Sequence, residues 1–147
     1  VFFDTAYIIK FYRNEIGSPE IRMLVRAEGV VYASFWAFNE FHAVLHRHVR
    51  ESILKRNAAR VLSKEFQDHI DEGMWKLLPV NETLLKHTSA SLLSAPTGLF
   101  LRAGDALHLQ TAKDAGEKEI WTNDRHMLAA APHFGLRGRS ATLGIIP

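Results

Sequence analysis

Apolar residues along this chain fall into short continuous runs, separated by longer stretches where they recur every three or four positions. Val1 to Asp4 is a brief run that stops on an acid and predicts a strand. The pattern then becomes helical through Tyr12, and Gly17 marks a turn. Ser18-Pro19-Glu20 predicts a helix opening, with the serine oxygen as cap and proline in the first turn, and Gly29 closes that helix. Val30 to Ala33, β-branched and aromatic, predicts a second strand. Helical spacing returns from Ser34 to Arg50 and again from Ser52 to Glu72, ending at Gly73. Trp75 to Val80 predicts a third strand, weakened by Pro79, which cannot donate to a ladder. Asn81-Glu82 caps a helix running to about Leu93, and a loop with Pro96 and Gly98 follows. Gly104-Asp105 opens a helix that ends at Gly116. Glu119 to Thr122 predicts a fourth strand, Asn123-Asp124 begins a short helix, and the tail from Leu136 fits a last edge strand.

Strands that alternate with helices imply parallel pairing, because parallel neighbours need a crossover and the helix supplies it. The expectation is one α/β domain over residues 1–147, with three α/β/α layers and a small, mainly parallel sheet. In such sheets ligands collect at the carboxyl ends of the strands. The absence of cysteine removes thiolate zinc sites, iron–sulfur clusters, disulfide scaffolds and cysteine nucleophiles. Eighteen basic and 16 acidic side chains leave a net charge of +2, so no global footprint for nucleic acid is visible. No run approaches the roughly 18 apolar residues of a membrane helix, and no basic stretch precedes an apolar one at the start. The corresponding expectation is a cytoplasmic protein.

Candidate chemistry lies in the carboxylates. Asp4 follows the first strand, Asp124 follows the fourth, and Asp105 opens a helix. Each has a structural reading as an N-cap at the positive end of a helix dipole. Glu40 is less easily explained. It sits mid-helix between Trp36, Ala37, Ala43 and Val44, with no base one turn away, and Arg47 two turns on is its structural alternative. If the four acids converge, their repulsion calls for a divalent cation, and all-oxygen ligation selects a hard ion such as Mg²⁺ or Mn²⁺. Such an ion lowers the pKa of water and neutralises charge at phosphorus, which is phosphodiesterase chemistry.

Four motifs then resemble, in order, those of the PIN-domain ribonucleases, and of VapC-type toxins from bacterial toxin–antitoxin pairs in particular. They are Asp4-Thr5 after an apolar strand, Asn39-Glu40, the segment Leu101-Arg102-Ala103-Gly104-Asp105-Ala106-Leu107-His108-Leu109, and Thr122-Asn123-Asp124-Arg125. The resemblance implies metal-dependent endonucleolytic cleavage of RNA, inhibition by a VapB-type antitoxin, and a homodimer. It assigns Asp4, Glu40, Asp105 and Asp124 to the ion, with Thr122 and Thr5 as supporting hydroxyls. Arg102 and Arg125 flank these residues and are candidates for phosphate. Between Arg47 and Lys64 lie six bases, Arg47 and Arg50 among them, against one acid. Phosphate contact, an acidic antitoxin segment or a solvated helix face each accounts for that run.

Two other readings remain open. His42 and His46 share a helical face, with His48 near, and together with Glu40 suggest a zinc hydrolase, although the glutamate that follows the first histidine in zinc-protease helices is absent. A PIN-like module that binds without catalysis is the third. His108 and His126 are expected to pack or face solvent, and Phe35, Trp36, Phe38 and Phe41 to pack.

Overall fold

The computed structural model describes residues 1–141. Five strands, β1 (Phe2–Phe3), β2 (Val31–Ser34), β3 (Trp75–Leu78), β4 (Glu119–Trp121) and β5 (Arg137–Arg139), form one sheet in the order β3-β2-β1-β4-β5. Every pairing is parallel, with Phe2 beside Tyr32 on one side and Ile120 on the other. Among the described residues seven α-helices cover the two faces: α1 (Thr5–Tyr12), α2 (Ser18–Glu28), α3 (Trp36–Arg50), α4 (Arg56–Asp71), α5 (Glu82–Ser94), α6 (Ala103–Asp114) and α7 (Arg125–Ala130). The expected three-layer α/β/α architecture is the one observed. The tail does add the edge strand β5, while residues 142–147 lie outside the described ones.

Strand β1 alternates its two phenyl rings between the layers, as a period of two requires. Phe3 joins a core with α1 to α4, built on Tyr7, Ile8, Ile21, Phe41, Phe66 and Trp75. Phe2 joins a second core with α6, α7 and Phe134. Helix α6 is buried without a break from Ala106 to Ala112, so it has no polar stripe facing water. In contrast α4 buries only Phe66, whose ring lies 4.2 Å from that of Phe41.

Several boundaries differ from the sequence reading. Gly17, at φ 88°, is the residue that caps α2, and Ser18 enters the helix, its hydroxyl donating to the Arg13 carbonyl. Strand β3 stops at Leu78, ahead of Pro79, and α4 begins at Arg56 rather than Ser52. Asp105 does not cap α6. Arg102 holds the cap position, and Asp105 is the third helical residue, its side chain turned toward that arginine.

Strand order reverses at β1: β2 continues to one side and β4 to the other. Crossovers therefore leave in opposite directions and open a crevice at the carboxyl end of β1, which is where Asp4 stands.

Because Phe66 is the one fully buried side chain of α4, with Ala59, Leu62 and Ile70 partly buried against the same core, replacing Phe66 with alanine is expected to lower unfolding free energy by about 3–5 kcal/mol. Val61→Ala on the same helix, at an exposed position, should stay within about 0.5 kcal/mol of wild type. Urea unfolding followed by circular dichroism checks both values.

Candidate active site

The chain turns from β1 into α1 at Asp4, whose side chain is 4% exposed. Its Oδ1 accepts from the Tyr7 backbone N–H at 2.9 Å, so it is an N-cap, as the structural reading expected. Its Oδ2 accepts from the Thr122 hydroxyl at 2.5 Å. The Thr122 oxygen also accepts from the Asp124 N–H at 3.0 Å, and Asp124 Oδ1 in turn caps α7 by accepting from His126 and Met127. One buried hydroxyl thus couples the acids that follow β1 and β4. These neighbouring strands hold them at a fixed separation.

Glu40 arrives from α3. It does not pair with Arg47. Its Oε1 accepts from the Thr5 hydroxyl at 2.7 Å and from Nε2 of His108. His108 reaches it from α6 and is almost wholly buried, with Nδ1 lacking a partner among the described residues. That pattern puts the proton on Nε2, where both neighbours are oxygens. His108, expected from sequence to pack or face solvent, is buried and also lines the pocket through its bond to Glu40. With α6 buried all round, periodicity carries no signal for which way one of its side chains faces.

Asp105 occupies the first turn of α6, where the helix dipole favours a negative charge. Its Oδ2 accepts from Arg102 Nε at 2.9 Å, and Arg102 Nη2 stands 3.8 Å from Asp124 Oδ2. Asp4, Thr5, Glu40, Arg102, Asp105, His108 and Asp124 line one pocket of about 210 Å³. The four acids named from sequence therefore share a single cavity, as do Thr5 and Arg102. Thr122 lies directly beneath it. Arg125 is exposed beside Asp124, and neither it nor Arg47 or Arg50 lines the pocket.

Burial raises the Asp4 pKa above its ordinary value of 3.8, against the lowering effect of the Thr122 and Tyr7 hydrogen bonds. For Glu40 burial also acts upward, but the hydrogen bond and charge of His108, with help from Thr5 and Arg102, bring the net pKa below the usual 4.5. The two carboxyls are pushed apart by their surroundings.

These donors fit a hard divalent cation by chemistry: four carboxylates, with no softer thiolate ligand in the chain. They do not stand as a closed coordination sphere. Among the described residues no group of three His, Asp or Glu side chains is arranged to hold a metal ion. Arg102 draws on Asp105 and Asp124, and His108 occupies Glu40. The histidine-zinc reading finds no support in this geometry. His42 commits Nδ1 to the Phe38 carbonyl and Nε2 to the Ser63 hydroxyl, and Glu40 faces α6 instead.

The raised Asp4 pKa penalises the folded state once the carboxyl must ionise. Asp4→Asn retains the cap and removes that penalty. It should raise the melting temperature of metal-free protein at pH 7 by about 2–4 °C or more. The gain should fade as pH drops below the raised folded-state value and vanish below about 3, where wild-type Asp4 is protonated in both the folded and the unfolded state. Thermal melts across this range supply the check.

Residues 1–132 match the PIN domain family. A search of curated proteins returns no match. PIN domains are generally nucleases and typically use divalent metals. With the match spanning nearly the whole chain and the sheet and layers agreeing, this protein belongs to the PIN-domain family.

Proposed function

We propose that this chain is an Mg²⁺- or Mn²⁺-dependent endoribonuclease, the toxin of a toxin–antitoxin pair held in check by a VapB-type antitoxin and acting as a homodimer. The observation that carries the reading is the convergence of Asp4, Glu40, Asp105 and Asp124 on one pocket at the reversal point of a parallel sheet. Those four side chains would hold the ion. When bound there, a divalent cation supplies an acidified water and neutralises charge on the scissile phosphate.

The protein's own contribution is orientation. Thr122 fixes Asp4 and Asp124 relative to each other, and Thr5 with His108 fixes Glu40. Asp4 is positioned by Tyr7 and Thr122, so a nucleophilic water beside it meets a carboxylate that cannot rotate away. Arg102, 64% exposed at its side chain, is placed to bind a phosphate oxygen when Asp105 and Asp124 release it. Arg125, Arg47 and Arg50 serve as more distant contacts for the RNA backbone.

A second reading, a binding module without catalysis, is favoured by one observation. Arg102 already pairs with Asp105 and Asp124, so these two acids are partly neutralised without any ion.

One pair of measurements separates the two. Under the nuclease reading Asp105→Asn lowers cleavage of a synthetic oligoribonucleotide by about 10²–10³-fold. Saturating Mn²⁺ raises the melting temperature of wild type, since a ligand specific to the folded state stabilises it by mass action. Cleavage by Asp105→Asn at the wild-type rate, or no thermal shift with millimolar Mn²⁺, favours the binding module.

A further inference from the structure

Resting on the reading of this chain as a metal-dependent ribonuclease, we propose that Tyr7 is a positioning residue for Asp124. Its buried hydroxyl holds the Asn123 side chain, and with it the turn that carries Thr122 and Asp124. The hydroxyl is backed in turn by Ser140 and Ala141, which lie beyond residues 1–132, the stretch that matches the PIN domain family. A segment outside the family match thereby braces the pocket.

Tyr7 reaches both sides of the site. Its backbone N–H donates to Asp4 Oδ1 at 2.9 Å, and its hydroxyl donates to Asn123 Oδ1 at 2.8 Å. The same Asn123 oxygen accepts from the Ser140 hydroxyl at 2.6 Å, and the Ala141 N–H donates to the Tyr7 oxygen at 2.6 Å. One residue earlier, the Arg139 carbonyl accepts from the Thr122 N–H at 2.9 Å. Residues 139–141 therefore grip either the turn itself or the tyrosine that holds it. The Tyr7 ring is fully buried and packs edge-on against Phe3, with centroids 5.1 Å apart. Burial raises the Tyr7 pKa above its ordinary 10.0, so the hydroxyl keeps the proton it donates. Tyr7 does not line the pocket, so it acts through its neighbours and not on the substrate.

Phenylalanine would fill the same space in the core, so what the hydroxyl adds is direction. Thr122 is tied to Asp4 and Asp124 caps α7, and the bonds to Asn123 fix the residue between them. Groups that orient metal-holding side chains from behind typically set metal affinity or activity by about 10–100-fold. Tyr12, further along α1, offers a comparison. Its hydroxyl accepts from Trp75 Nε1 at 2.8 Å and bonds His69 Nδ1 at 2.7 Å, and its side chain lines a different cavity. Loss of either hydroxyl breaks a part-buried network, but only that of Tyr7 touches the turn before Asp124.

The test compares the full chain as wild type, Tyr7→Phe, Asn123→Ala, the double variant, and Tyr12→Phe as control. Free Mn²⁺ is titrated by electron paramagnetic resonance, and cleavage of a synthetic oligoribonucleotide gives kcat and KM. Thermal melts in EDTA report stability. Tyr7→Phe should weaken Mn²⁺ binding and lower kcat by about tenfold each, with KM within about threefold of wild type. Asn123→Ala should do the same, and the double variant should lose no more than either alone, because both cut one link. Tyr12→Phe should keep wild-type Mn²⁺ affinity and kcat despite a comparable fall in melting temperature. Should Tyr7→Phe fail to fold, Asn123→Ala reads the same bond from its acceptor. Wild-type Mn²⁺ affinity and kcat in Tyr7→Phe, equal losses in Tyr12→Phe, or additive losses in the double variant would each overturn the positioning role, while cleavage by wild type keeps the nuclease reading standing. A wild type that takes up no Mn²⁺ and cuts no RNA overturns both. Tyr7-dependent Mn²⁺ uptake without cleavage supports the positioning role and removes the nuclease.

Discussion

Gathering Asp4, Glu40, Asp105 and Asp124 around one pocket creates a charge problem, and much of the surrounding structure answers it. Like charges confined together disfavour ionisation, and burial of Asp4 adds to the cost. Four devices offset this. Asp4 and Asp124 cap helices and accept backbone N–H bonds. Asp105 sits at the favourable end of the α6 dipole. Thr122 donates to Asp4, and Thr5 with His108 donates to Glu40. Arg102 supplies a positive charge beside Asp105 and Asp124. All but His108, which lies in the middle of α6, stand at a strand end or a helix start.

The topology explains why these devices meet. Because β1 is central and its neighbours run parallel, the ends of β1 and β4 stand side by side, with the Asp4 N–H donating to the Trp121 carbonyl at 3.2 Å. The Thr122–Asp4 bond spans 118 residues of sequence yet needs only this one neighbouring-strand register. Helices α3 and α6 then bring Glu40 and Asp105 from two different layers of the fold. The pocket is a product of the crossover pattern rather than of any single loop.

How much of this the sequence disclosed depends on how local the signal is. Strand–helix alternation, the Asn81 cap and the aspartates at the ends of β1 and β4 are local features, and all were legible. Asp4 and Asp124 each cap a helix and also line the pocket, so the cap reading does not remove either from the candidate site. Glu40 looked anomalous because its own helix offers no partner, but the partner itself, His108, lies 68 residues away on a helix buried on every side. Asp105 was placed at a cap because Gly104 suggested a helix start, whereas Arg102 takes that position and leaves Asp105 free to meet it. Phe35 and Trp36, at the start of α3, were expected to pack, yet they are 50% and 39% exposed.

The proposed activity requires that the pocket capture a divalent ion. Crystals grown with Mn²⁺ and measured at the manganese absorption edge give the most direct answer. The expected result is an anomalous peak inside the pocket, within coordination distance of the Asp4 and Asp105 carboxylates, with Arg102 swung away from Asp105. An empty pocket at saturating Mn²⁺, or a peak on other side chains only, would contradict it.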